Sequence, residues 1–181
     1  MNMKPINAAL LAAAFCASSI SAFAAITKAE HKTAIKEADM SYKTAKAACS
    51  PLAGNAKDVC VAEAKVAKAS AKAKADSDYK NTAKERYDGQ KDVAGAEYDL
   101  AKAKCGAKAG NDKDVCIKEA KAVEVRAKAD AKAGTKVSEA RSDASDEKRK
   151  ANYKVATEKC EAFSGAAKDT CVTEAKARFN M

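Results

Sequence analysis

The chain has 181 residues, 34 Lys and Arg against 25 Asp and Glu, a formal net charge of +9, and seven cysteines. Its apolar fraction of 47% is mostly alanine: beyond residue 24, two Leu, three Ile, ten Val and two Phe occur among 157 residues, which excludes a large conventional core. With no Trp and one His, base-stacking platforms and histidine chemistry are poorly served, whereas long helices rich in alanine, lysine and glutamate are favoured.

The first element is a leader. Met1-Asn2-Met3-Lys4 precedes an apolar run from Ala8 to Phe15, and Ala22-Phe23-Ala24 has the small-x-small pattern read by signal peptidase. Pro5, Asn7 and the Ser18-Ser19 pair keep the apolar run short of the ~18 residues a membrane span needs. Residues 1–24 are therefore predicted to be a cleaved signal peptide that directs the chain to the periplasm, and loss of Lys4 takes the net charge from +9 to +8. Cys16 follows the bulky Phe15, which argues against lipoprotein processing.

Beyond Ala24 the sequence repeats itself three times. GNAKDVCVAEAK from Gly54 to Lys65 returns as GNDKDVCIKEAK from Gly110 and as GAAKDTCVTEAK from Gly165. A Tyr precedes the first cysteine of each unit by seven positions: Tyr42 and Cys49, Tyr98 and Cys105, Tyr153 and Cys160. Repeat boundaries are set at 25–80, 81–135 and 136–181. Six helices are predicted in order, over 28–48, 57–80, 83–104, 112–134, 138–160 and 167–179. Thr27-x-x-Glu30 and Thr82-x-x-Glu85 are capping boxes that satisfy free amides at helix starts. Gly134, Thr135 and Ser138 mark a weaker third start. Asp58, Asp114 and Asp169 fall in first turns, where negative charge meets the positive end of the helix dipole. Gly89, Gly95 and the stretch Ser142 to Glu147 are the expected weak points.

The fold class that follows is all-α: three tandem αα-hairpins, elongated, each with one disulfide. Ile35, Ala38, Tyr42, Ala45 and Cys49 share a helix face, as do Cys60, Ala64, Ala67 and Ala71, and Cys116, Ala120, Val123 and Ala127. Each seam is thus alanine-lined with a cysteine at its tip. Six cysteines allow fifteen connectivities, but the ten-residue spacing favours Cys49 with Cys60, Cys105 with Cys116, and Cys160 with Cys171. In an oxidising compartment such an even set reads as disulfides. Zinc sites usually place paired ligands two to four residues apart, so no metal site is expected.

No catalytic constellation is evident. His31 sits among Lys28, Glu30 and Lys32 and reads as a solvated surface residue. Phosphate loops, nucleophile elbows and zinc-protease helices do not occur, so neither an enzyme nor a cofactor is expected. Lysine-alanine tracts such as Lys68 to Lys74 and Arg126 to Lys132 predict positively charged helix faces able to attract polyanions without sequence preference. Sequence-specific nucleic-acid binding is not expected, nor is membrane insertion after leader cleavage, because alanine stripes offer little apolar bulk.

The Cys-x10-Cys units with their Ala-Lys-Asp-Val-Cys and Glu-Ala-Lys tracts resemble alanine- and lysine-rich exported proteins of Gram-negative bacteria, some of them described as TolA-like cell-envelope proteins. The resemblance implies a periplasmic location. TolA-like proteins keep an uncleaved membrane anchor and carry a separate globular end domain, neither of which this sequence displays, so the resemblance does not extend to coupling the two membranes. The leading expectation is a structural or interaction protein of the envelope, partnered by another envelope protein. Its alternatives are a cationic module for anionic envelope polymers or lipids, and a stress protein of chaperone type.

Overall fold

The computed structural model describes residues 25–181; residues 1–24, on which the signal-peptide expectation and Cys16 fall, lie outside the described residues. Five helices follow one another: α1 (Lys28–Ala48), α2 (Gly54–Lys80), α3 (Ala83–Cys105), α4 (Gly110–Cys160) and α5 (Gly165–Phe179). Among the described residues no strand forms. Thr27 opens α1 through a complete capping box, its hydroxyl accepting from the Glu30 amide at 3.2 Å while its own amide donates to Glu30 Oε2 at 2.7 Å. Thr82 caps α3 by accepting from the Glu85 amide at 3.1 Å. Starts of α2, α4 and α5 have no side-chain cap. Instead each begins on a glycine in the left-handed region, Gly54, Gly110 and Gly165, with φ of 55°, 53° and 58°. Each lies six residues before the second cysteine of its unit, and only glycine takes that conformation without steric cost.

Helices touch only their neighbours in sequence. Helices α1 to α4 run alternately up and down, with α2 between α1 and α3, and α3 between α2 and α4. The core is alanine and sulfur: Ala38, Ala62, Ala64, Ala75, Ala94, Ala120, Ala131 and Ala175 are buried, and the largest fully buried side chains are Cys49, Cys105 and Cys160. Small side chains let helices come close. Helices α2 and α3 approach so closely that a Cβ placed on Gly89 would sit 2.7 Å from Ala73 Cβ. Gly89 is therefore a packing position, and α3 runs unbroken through both Gly89 and Gly95.

Helix α4 corrects the expected count of six. Its 51 residues run through Gly134, Thr135 and Ser138, the predicted break, and through Ser142 to Glu147, the predicted weak stretch. The first two units show why. Between α2 and α3 the chain turns at Asn81, which is left-handed with φ of 49°, and restarts at the Thr82 cap. Arg86 fixes that corner by donating to Asn81 O at 3.1 Å and to Asn81 Oδ1 at 2.9 Å. Counted from the preceding staple, Val137, Ser138, Arg141 and Ser142 stand where Asn81, Thr82, Glu85 and Arg86 stand. A β-branched valine avoids the left-handed region, and Arg141 cannot close a capping box. Thr135, one of the residues expected to mark the break, instead donates back to Ala131 O at 3.0 Å within the helix. One glycine, at a cost of about 1 kcal/mol, does not break a helix otherwise so well composed.

The third hairpin consequently points the opposite way from the other two. Asn55 lies against Gly106, so the first two tips stand side by side. Cys116 and Cys160 lie on one helix about 66 Å apart at 1.5 Å per residue. Between Ser138, which Arg86 reaches at 3.3 Å, and Tyr153, whose ring meets Phe179 at 6.4 Å, every residue of α4 except Asp146 is exposed.

Candidate functional site

The residues singled out by spacing are the six cysteines, and the structure joins them within hairpins. Cys49–Cys60 and Cys105–Cys116 have Cα separations of 5.8 Å and Cys160–Cys171 of 5.7 Å, inside the usual disulfide range. In each pair the first cysteine is 1% exposed. The three disulfides fit an oxidising compartment. Among the described residues no helix is long and apolar enough to cross a membrane, and no group of three His, Cys, Asp or Glu side chains is placed to hold a metal.

Below each staple lies an aromatic layer that sequence spacing locates only in part. Lys68 Nζ sits 4.9 Å from the centre of the Tyr42 ring, and Lys121 Nζ 4.9 Å from that of Tyr98. In the third hairpin Phe179 packs edge-on against Tyr153 instead. Tyr42 and Tyr98 each add a cation–π contact of about 0.5–1 kcal/mol some two turns from the disulfide, whereas Tyr153 makes an edge-on aromatic contact in its place.

His31 is not the solvated residue its flanking charges suggested. It is 22% exposed, its Nε2 lies 2.6 Å from Asp76 Oδ1, and its ring stacks on Tyr79 at 4.6 Å. With the Ile26 amide donating to Asp78 O at 3.1 Å, these contacts fasten the start of α1 to the end of α2. They join residues 45 apart in sequence, so neither helix announces the pair by itself. The arrangement is a clasp between the two helices.

The lysine tracts are occupied from within. Asp39 receives Lys68 at 2.8 Å and Lys72 at 3.0 Å, Lys74 reaches Asp78 at 2.5 Å, and Glu124 is held between Lys121 at 2.6 Å and Lys128 at 2.5 Å. Hydrogen bonds from Lys68 and Lys72 hold the Asp39 carboxyl below its ordinary range, and those from Lys121 and Lys128 do the same for Glu124. Glu124 is the buried charged side chain among the described residues, at 5% exposure, screened by the stems of its own lysines. Among these ion pairs only Asp39 links two helices. The rest lie along α2 and α4.

An open cleft runs over α3 between α2 and α4, lined by Ala73, Arg86, Gln90, Ala94, Glu97 and Ala131 among others. Arg86 is already engaged by Asn81 and Ser138, which leaves the cleft without convergent polar groups of the kind a small-molecule site uses. Set beside known proteins, the chain gives no significant match to any protein family, curated protein or solved structure. Its geometry places stapled hairpin tips at the two ends of one long helix.

Proposed function

We propose that the protein is a non-enzymatic spacer or scaffold of the cell envelope, exported by a cleaved leader and working in the periplasm. The single observation that carries this reading is α4. A helix of 51 residues is about 75 Å long, and it holds a pair of stapled tips at one end and a single stapled tip at the other. A chain with so little core gains nothing by extending unless its ends must be kept apart, since folding the third hairpin back would bury more surface. Rigid ends separated by a fixed length suit an element that bridges two envelope components. The competing reading, a cationic module for anionic polymers, is weakened by the carboxylates that already occupy Lys68, Lys72, Lys74 and Lys128.

Photocrosslinkers placed at Ala107, beside the paired tips, at Ala162, beside the single tip, and at the exposed Ser145, mid-shaft, test the proposal in intact envelopes. Adducts to envelope partners at both poles are expected. A protein that captures nothing at either pole, or captures at one pole alone, is not a bridge. Binding to anionic vesicles that falls steeply from 50 to 200 mM salt, roughly as counterion release requires, would favour the cationic module instead.

A further inference from the structure

The straight course of α4 leaves two surfaces bare that the repeat has already shown how to cover. In the first two units α2 and α3 pack antiparallel, with Ala73 opposite Gly89. Counted from the second cysteine of each unit, Ala73 corresponds to Ala129; counted from the first cysteine, Gly89 corresponds to Ala144. Thus the N-terminal half of α4 carries the face that α2 turns to α3, and its C-terminal half carries the face that α3 turns to α2. Both lie on the same side of one uninterrupted helix, away from the Ala120, Glu124 and Ala131 side that is buried. They cannot meet within one chain.

We propose that they meet between two chains, and that the protein is an antiparallel homodimer along α4, each copy's third hairpin occupying on the other copy the place that α3 occupies on α2. This is a domain exchange in which a missing turn is replaced by continuous helix. Setting Ala129 against Ala144 of the second copy fixes the register. Ala122 then faces Ala151 and Ala133 faces Ala140, so alanine meets alanine at three levels on each side of a two-fold axis near 136 and 137. Between these levels Arg126 faces Glu147, and beyond them Glu119 faces Lys154. All of these residues are exposed in the single chain. The ion pairs formed by α4 use Glu124 with Lys121 and Lys128, Asp146 with Arg149, and none of Glu119, Arg126, Glu147 or Lys154 among the described residues. Glu119 is the repeat counterpart of Glu63, which pairs with Lys104 across α2 and α3 at 3.9 Å; Lys104 itself corresponds to Lys159, so the pairing of Glu119 with Lys154 follows from the register alone. Alanine at 144 where α3 has Gly89 sets the two α4 axes slightly wider than α2 and α3, still within the ~8–10 Å of packed helices.

The charges make the test. Sedimentation equilibrium of the unmodified protein is expected to show a reversible dimer. Arg126→Glu alone and Glu147→Arg alone each set like charges opposite one another and weaken self-association about tenfold or more. Mixing the two variants in equal amounts, or combining both substitutions in one chain, restores it, because only the antiparallel register sets 126 against 147 of the other copy. Circular dichroism of each variant, expected to be unchanged, separates loss of pairing from loss of folding. A protein monomeric throughout, a dimer indifferent to both reversals, or variants that do not rescue one another overturns the proposal.

Discussion

The corner at Asn81 and the straight passage at Val137 occupy the same place in successive repeats, and they do opposite things. At Asn81 the chain takes a left-handed turn, Thr82 restarts a helix, and Arg86 ties the corner shut. At Val137 none of these devices survives, and α4 continues. Everything around the two junctions is nearly equivalent in composition. The direction of a whole hairpin is therefore set by about four side chains, each worth only one or two kcal/mol.

The strongest way to break the contrast is to transplant the corner. Val137→Asn with Ser138→Thr, Arg141→Glu and Ser142→Arg is expected to interrupt α4 and fold the third hairpin back beside the second. Small-angle scattering should then show the longest dimension reduced by roughly half, since each remaining piece of α4 is under ~45 Å. The folded-back hairpin would also cover the face used for pairing, so the same variant should be monomeric. Retention of the full length would mean that the cap residues do not decide the junction.

A second test asks how far the far pole depends on its staple. Helix α5 touches only α4, whereas α2 is flanked on both sides. Cys160→Ser with Cys171→Ser should cost nearly 3 kcal/mol by loop-closure entropy and release α5, read as loss of amide protection over 165–179. The same change at Cys49 and Cys60 should leave α2 protected by α3. Equal loss at both sites would show that the staple, not the neighbouring helix, carries α2.

The two threonines give a smaller and sharper comparison. Thr82→Ala removes a cap and should destabilise by about 1 kcal/mol. Thr135→Ala replaces a β-branched residue inside a helix and should be neutral or stabilising by a few tenths of a kcal/mol. Thermal melts of both variants check the opposite signs; equal losses would place a hidden cap at 135.

Acid gives the smallest effect. Hydrogen bonds from Lys80 and then Thr82 hold the Glu85 carboxyl below its ordinary 4.5. A carboxylate lowered on folding stabilises above its unfolded value, and that contribution is lost as pH falls through the folded one. The amides of Glu85 and Arg86, which donate to Thr82, should therefore lose exchange protection as pH falls below 4.5, before those of 135–141, which lie inside α4 and depend on no cap. Simultaneous loss would remove Glu85 from the account of the corner.

Much of this was legible in the sequence because it is local. Cysteine spacing gave the three staples, and capping boxes at Thr27 and Thr82 gave the starts of α1 and α3 to the residue. Helices α2, α4 and α5 start two or three residues earlier than their patterns predict, because Gly54, Gly110 and Gly165 read as turn residues in the sequence and are the first residues of their helices. The expected break near Gly134 failed for a different reason. Glycine, threonine and serine mark where a helix is weak, but a turn needs a residue willing to be left-handed and a cap that closes, and Val137 and Arg141 supply neither. Contacts such as His31 with Asp76, or Asp39 with Lys68, depend on which helix lies beside which. Helical periodicity names the face of each residue but not the level at which two faces meet.

The disulfides also decide how the molecule answers a pull. Each spans 11 positions of sequence, so tension applied between the termini passes straight across the sulfur bridge and never reaches the loop it closes. Three such shortcuts withhold roughly 100 Å of contour at ~3.6 Å per residue, about a fifth of the described chain. Stretched to its limit, the oxidised protein stops short where the reduced one would still be paying out slack.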